Sequence, residues 1–513
     1  MRDQVLCSYI KQMKKEKNKM NFAQTAKTSA QIKQTENGAM AYNTTTNALL
    51  DLFAQIGALR PRSEGEIEMK YADAYAVDPE LATKMLFYAG NIRGGLGERR
   101  TFRICLRWLA TNHPSVVRDN LINIPHFNRW DSLFTLVGTP VEADMWQYIT
   151  DQLNLDLNAV LSEKKGGKHA GISLLAKWMP TETAHKRETR ALAKTAMRKL
   201  GLTPRMYRKM LTALRAHLKV VESLMSAGKW DEVDYPAVPS YAMKNYRKAF
   251  GAHDSDRFGA YIASLNKGEA KINASTLFPY DLVHQYMEHS WRNTGIDPII
   301  EAQWKALPNY IEGNNNILVM ADVSGSMYGR PIESSIGLAT YFAQRNTGDY
   351  HGLYMTFTDK PHFIDISNMT TLAECVDYVK RKDIGYSTNL DAAFRYVLNH
   401  ALEHHIKNED MPKALVVISD MEIDPYFRGR RNMDFVQKWV EEFAEYGYTC
   451  PKLVMWNVEA RNDTFLSQSN DVVLVSGQSV STFYNLCQSL GGKTAWDFMC
   501  EVLNDPMYDC VVI

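Results

Sequence analysis

Beyond residue 314 the chain repeats one pattern: a short run that is apolar throughout, an amphipathic stretch, then another apolar run. The runs lie at 317–320, 354–357, 414–418, 452–457 and 472–475, and the stretches between them include 331–344, 389–400 and 435–446. A strand without a polar face is buried on both sides, as in a parallel sheet sandwiched between helices. The pattern predicts one doubly wound α/β domain over residues 314–513.

Ahead of it the periodicity is helical. Leu49, Leu50, Phe53 and Ile56 follow a 3–4 spacing, as do Leu81, Met85, Leu86 and Tyr88, and Met206, Met210, Leu211, Leu214, Leu218 and Val221. Short breaks separate these stripes at Arg60-Pro61-Arg62, Gly94-Gly95-Leu96-Gly97, Gly166-Gly167 and Gly201-Leu202-Thr203-Pro204. Medium helices joined by short turns predict an α-solenoid or helical-hairpin array, a helical-repeat module over residues 36–300, with a connector at 301–313. The fold class expected is therefore α plus α/β. Residues 1–35 are Lys-, Gln- and Thr-rich and read as a disordered polar tail, with Met20 a candidate translation start.

Charge separates the two halves further. The total is only +1, but residues 161–220 hold 15 Lys/Arg against three acids, and residues 301–513 carry a net −11. The seven cysteines are scattered and none stands at CxxC spacing, which excludes a zinc ribbon and a disulfide scaffold and suits a cytoplasmic location. No apolar run reaches the roughly 18 residues of a membrane helix, so no membrane partner is expected.

The segment Asp322-Val323-Ser324-Gly325-Ser326-Met327 directly follows the first apolar run. In a parallel sheet such a loop lines the ligand crevice. It offers a carboxylate and two hydroxyls at alternating positions. Thr388, just ahead of a predicted helix, and Asp420, at the end of the run 414–418, supply two more oxygens. Five hard oxygens without His or Cys suit a divalent cation of the Mg²⁺ or Mn²⁺ kind. So small a set leaves a coordination position for a partner's carboxylate.

Asp322-x-Ser324-x-Ser326 with Thr388 and Asp420, in that strand order, resembles the metal-ion-dependent adhesion site of von Willebrand factor A domains. The resemblance implies direct coordination by Ser324, Ser326 and Thr388, and largely water-mediated roles for Asp322 and Asp420. A helical region ahead of such a domain is similar in layout to TROVE (Ro) proteins, which implies that the helical-repeat module is HEAT-like and binds small structured or misfolded RNAs. The chain resembles the DUF2828 family more closely still. The residues that carry this are Thr35-Glu36-Asn37-Gly38, Ala48–Phe53, Asn91-Ile92-Arg93-Gly94-Gly95-Leu96-Gly97-Glu98-Arg99, Ala176–Pro180, Ser226–Asp231 and Val238-Pro239-Ser240.

The basic block points independently to a polyanion. Lys177, Arg187, Arg190, Lys194, Arg198, Lys199, Arg205, Arg208, Lys209 and Arg215 fall on predicted helices and form the expected RNA contacts. Trp178, Tyr207, Trp230, Tyr241 and Tyr246 are interleaved or follow closely, as base stacking would require. The competing reading is a solvated basic face over buried aromatics. The loop 93–100 is read two ways: backbone amides cradling a phosphate, or a helix–helix turn. Segment 124–131 is likewise read as core plus turn or as a surface. No HExxH or GxSxG is present, so no enzyme is expected. The function expected is RNA binding by the helical module, with the metal face binding a partner's acidic residue or closing a ring. The alternatives are a metal-dependent protein adaptor and a hydrolase using Glu422 as base.

Overall fold

The computed structural model describes residues 31–513 apart from 165–170, 289–294, 312–314, 359, 383–384, 386, 426–434, 469–471 and 490–492. Residues 1–30, with Met20 and Cys7, and the break at Gly166-Gly167 therefore lie outside the described residues.

Eight described strands form two sheets: β1 (Ile32–Gln34), β2 (Met40–Tyr42), β3 (Ile317–Asp322), β4 (Leu353–Phe357), β5 (His362–Asp365), β6 (Ala414–Ser419), β7 (Lys452–Asn457) and β8 (Val473–Ser476). The large sheet has the order β5-β4-β3-β6-β7-β8. Every pairing in it is parallel except β4–β5, which is antiparallel. The sheet is thus mixed, not wholly parallel. β5 escaped sequence reading because His-Phe-Ile-Asp alternates at a sheet edge and does not form an apolar run. All residues of β3 and β6 are buried, so both faces of the sheet are covered. On one face Phe342 of the helix Arg330–Arg345 and Trp456 of β7 both meet Phe483. The chain passes from β3 to β4 on one side and later to β6 on the other. The carboxyl ends of β3 and β6 therefore flank the crevice where strand order reverses.

The first half is helical, with helices at Glu64–Val77, Pro79–Gly90, Arg99–Asn112, Glu142–Lys164, Arg187–Lys199 and Pro204–His217 among others. Local signals explain their ends: Ser63 and Glu66 form a capping box, and Pro79 and Pro204 open the first turns behind Asp78 and Thr203 caps. Residues 221–299 contribute a small separate core around Met243, Phe250, Phe258 and Tyr261. Among the described residues no helix is long and apolar enough to cross a membrane.

The core packing is shared across residue 314. One continuous core runs from Ala39 through the sheet to Val511. Residues 31–35, expected as tail, include β1, which pairs with β2. Tyr42 and Phe465 exchange backbone hydrogen bonds, and Ala460 N–H donates to Ala58 O at 2.9 Å. The Ser476 hydroxyl donates to Phe53 O and accepts from Gly57 N–H, each at 3.0 Å. In return, the C-terminal residues Cys510 and Val512 are held by the amides of Asn123 and Asn120. The closest approach is backbone against backbone: a Cβ on Gly57 would lie 2.6 Å from Gly477 Cα and 2.8 Å from Ser476 C. Gly477 itself has φ +99°. Gly57→Ala is expected to cost about 2–3 kcal/mol and lower the thermal midpoint in a circular-dichroism melt; an unchanged midpoint would refute this packing.

Candidate functional site

β3 ends in Asp322, and the chain turns at once into the single 3₁₀ turn Gly325–Met327. That turn folds the two serines back to one side, with Ser324 Oγ and Ser326 Oγ 3.2 Å apart. Asp322 Oδ1 accepts from Ser324 N–H at 2.9 Å, and Oδ2 accepts from Ser419 Oγ at 2.5 Å. Ser419 ends the neighbouring β6, and Asp420 follows it. Met421 then takes a left-handed φ of +67°, an uncommon conformation for a side chain of its size, which bends the chain away from the sheet. Its N–H is held by Ser419 Oγ at 3.1 Å, and Glu422 N–H donates to Asp420 Oδ1 at 3.1 Å.

Asp322, Ser324, Thr388 and Asp420 are all at most 1% exposed. Ser326 hydrogen-bonds Asp420. Thr388 is fastened by its backbone to Asp424, donating N–H to Asp424 Oδ2 at 2.7 Å and accepting from Asp424 N–H at 3.0 Å. Its buried Oγ1 has no hydrogen-bond partner among the described residues. The loop from β3 and the loop from β6 thus share one edge, and Thr388 is tied to the latter.

Two buried carboxylates at one point repel. Burial first and Asp420 second push the Asp322 carboxyl up to about 7. Burial also raises Asp420, against the pull of the Glu422 N–H and Arg461. Arg461 Nη2 lies 2.5 Å from Asp420 Oδ2, and its Nη1 lies 3.4 Å from Ser326 O. The edge thus offers a buried hydroxyl without a partner among the described residues, two serine hydroxyls and two crowded carboxylates, oxygen donors of the kind a hard cation takes. Among the described residues no three His, Cys, Asp or Glu side chains converge. The set fits a cation that accepts neutral hydroxyls and keeps waters, as Mg²⁺ and Mn²⁺ do.

Glu422 is not a free base beside this edge. It is 1% exposed, and its carboxylate accepts from Glu36 N–H (2.6 Å), Thr464 Oγ1 (3.1 Å) and Asn462 Nδ2 (3.2 Å). Sequence reading missed Ser419, Asp424 and Arg461. Asp424 could have been suspected from its position four residues past Asp420; Arg461 carries no local motif.

The basic block sorts into two kinds of residue. Arg215 donates to Ala176 O and Met179 O, both at 2.9 Å, and Arg190 to Ala184 O and His185 O. These two arginines tie down loops and are not free phosphate contacts. Arg208 pairs with Glu182, Lys199 with Glu142 at 3.1 Å and Lys177 with Glu222 at 3.8 Å. Arg187, Lys194, Arg198, Arg205 and Lys209 remain exposed and form no ion pair among the described residues. Of the aromatics, Tyr207 is buried with its hydroxyl on Pro180 O, and Trp230 stacks on His253 within the small core.

The loop 93–100 is a turn. Leu96, Gly97 and Glu98 spend their N–H groups on Tyr88 O, Asn91 O and Ala89 O, and Arg93 and Gly94 donate to Asn91 Oδ1. Five of the loop's amides are thereby spent, while the helix Arg99–Asn112 that follows opens without a side-chain cap. Gly95 is required there, since a Cβ would sit 2.1 Å from Tyr88 O. In segment 124–131, Ile124 and Phe127 are core, while Arg129 stacks outward.

The fold instead gathers arginines that are distant in sequence. Arg330 Cζ lies 3.8 Å from the Tyr280 ring centre and Arg60 Cζ 6.0 Å from it; Arg129 Cζ lies 3.9 Å from that of Trp178. Burial and the nearby Arg60 bring Arg330 down to about 10, and burial and Arg129 lower Arg99. Arg99 and Arg330 form no ion pair among the described residues, and Arg330 Nε is buried without a partner. Tyr241, 38% exposed, faces both. Burial raises the Glu459 carboxyl, and Arg461, Asp420, Arg60 and Arg330 all act on it electrostatically.

Residues 35–129 and 195–317 match the family described as Domain of unknown function (DUF2828), and residues 316–488 match Domain of unknown function (DUF7788). The chain is 30% identical over 491 residues to the "Uncharacterized protein L728" of Acanthamoeba polyphaga mimivirus, covering 88% of this chain and 83% of that protein.

Proposed function

The chain belongs to the family of that mimivirus protein and carries DUF2828, and on that premise we propose that it binds RNA along the arginine strip, beside a divalent-cation site at the sheet edge. In this reading the helical half is a HEAT-like, TROVE-type module and the sheet is a von Willebrand A-type domain. The single observation that carries it is the strip itself. Guanidiniums stack on Tyr280 and Trp178, and Arg99 and Arg330 stand outside any ion pair among the described residues, while Arg60 and Arg129 are paired with Glu98 and Asp131. Phosphates neutralise surplus guanidiniums, and unpaired bases stack on planar groups, so the chemistry fits a single strand better than a duplex. The outward residues Arg187, Lys194, Arg198, Arg205 and Lys209 add long-range attraction. Asp322, Ser324, Ser326, Thr388 and Asp420 hold the ion, Mg²⁺ or Mn²⁺.

Fluorescence anisotropy with a labelled 20-nucleotide single-stranded RNA tests this. Arg99→Glu with Arg330→Glu is expected to weaken binding at least tenfold and to flatten its salt dependence. Undiminished affinity in the double variant would refute the strip.

One observation favours the adaptor as a second reading. Tyr328, directly after the metal loop, is 91% exposed, the kind of ring that anchors protein partners. For a hydrolase, Glu422 is already committed to Glu36, Asn462 and Thr464.

A further inference from the structure

We propose that the acidic ligand completing the cation site comes from this chain, and that it is Glu36. The inference rests on the metal reading above and changes its consequence: the site becomes a clasp between the N-terminal segment and the sheet edge.

The segment 35–37 is anchored without help from the Glu36 carboxylate. Thr35 Oγ1 donates to Ile423 O at 2.7 Å, Glu36 N–H donates to Glu422 Oε2 at 2.6 Å, and Asn37 Nδ2 donates to Glu422 O at 2.7 Å. All three contacts fall on residues 422–423, immediately after Asp420. They leave the Glu36 side chain free to turn toward the edge, where Oε1 accepts from Asn462 Nδ2 at 2.8 Å. Its Oε2 lies 3.7 Å from Arg461 Nη2, the same nitrogen that sits 2.5 Å from Asp420 Oδ2. One cationic atom is therefore already shared between Glu36 and a residue of the metal set.

A guanidinium is a poor permanent occupant of that place. Its N–H groups reach Asp420 Oδ2 and Ser326 O, and none is bonded to the Thr388 hydroxyl, which stays without a partner among the described residues. It is also seated imperfectly, with its Nε buried and unpartnered. A divalent ion accepts from hydroxyls and carboxylates alike. When it binds, Arg461 gives up Asp420, and Glu36 exchanges a nitrogen partner for the metal. The coordination position read from the sequence as open to a partner's acid is then filled from within.

The test uses the full chain and Mn²⁺, with free ion read by electron paramagnetic resonance. Wild type is expected to bind one Mn²⁺, and Asp322→Ala none. Glu36→Gln keeps an oxygen for Asn462 and the backbone anchors, and is expected to bind about tenfold more weakly, with Glu36→Asp recovering part of the loss. Mn²⁺ is also expected to protect the backbone around residues 31–43 from limited proteolysis in wild type but not in Glu36→Gln. If wild type binds and Asp322→Ala does not, yet Glu36→Gln matches wild type in affinity and protection, the clasp is overturned and the metal site stands. If wild type itself binds no Mn²⁺, both fall.

Discussion

Adding Mg²⁺ to the metal-free protein is expected to raise its unfolding midpoint, and to raise it more at pH 8 than at pH 6. Asp322 is fully buried beside Asp420, and its carboxyl stands near 7, well above the 3.8 of a free aspartate. A raised carboxyl means that the metal-free fold prefers the protonated form. Its stabilising effect is complete below the unfolded value and is lost as pH rises through about 7. The metal-free protein therefore weakens from about pH 4 up to about 7, with roughly 1.4 kcal/mol of that loss falling between pH 6 and 8. A cation removes the repulsion that causes the loss, and at a hundred times its Kd it contributes about 2.7 kcal/mol. Asp322→Asn separates the two effects. It abolishes the repulsion, so the metal-free variant loses less stability toward pH 8, and it is expected to lose the Mg²⁺ response. Thermal melts at the two pH values, with EDTA or Mg²⁺, check this. An equal Mg²⁺ shift in wild type and Asp322→Asn would sink the assignment of Asp322 to a cation site.

The meeting of Asp322, Ser324, Ser326 and Asp420 at one edge was legible because they stand at the ends of apolar runs that sheet topology brings together, while Thr388 is tied by its backbone to Asp424. Ser324, Ser326 and Asp322 share a turn, and Asp420 joins them because β6 lies beside β3. What escaped reading is held by contacts without local pattern. Arg461 lies 41 residues from Asp420, and Glu36 and Glu422 are 386 residues apart. The same limit explains the basic block. Composition located the charge, but only the fold distinguishes Arg215, spent on Ala176 O and Met179 O, from Lys194, which faces solvent. It also explains the boundary at 314. A change of periodicity marks where strands begin, not which segments they need as neighbours, and β1 and β2 are too short to carry a pattern of their own.

That dependence gives the second large effect. A fragment of residues 315–513 is expected not to fold, because its sheet is finished by residues 31–62. Without them, Glu422 loses the N–H of Glu36, its nearest donor, while remaining a buried charge. The Ser476 hydroxyl loses both Phe53 O and Gly57 N–H. Ala460 loses Ala58 O, and the partly exposed Asp463 loses Arg62, which binds it at 2.7 Å. Each orphaned buried polar group costs about 1–3 kcal/mol, more for a charge, and a domain holds only about 5–15 kcal/mol in reserve. Exposure of Leu474 and Phe465, packed in the shared core, adds apolar loss to that sum. Fusing residues 31–62 ahead of 315 through a flexible linker is expected to restore part of the fold, which the dispersion of amide resonances in a two-dimensional NMR spectrum would report. Glu422→Ala in the full chain makes the same point with one residue. It strips the acceptor from Glu36, Asn462 and Thr464 together and is expected to cost about 3 kcal/mol or more. A cooperative melt of the isolated fragment, matched to the full chain, would show that residues 31–62 are passengers on the sheet edge and not part of its construction.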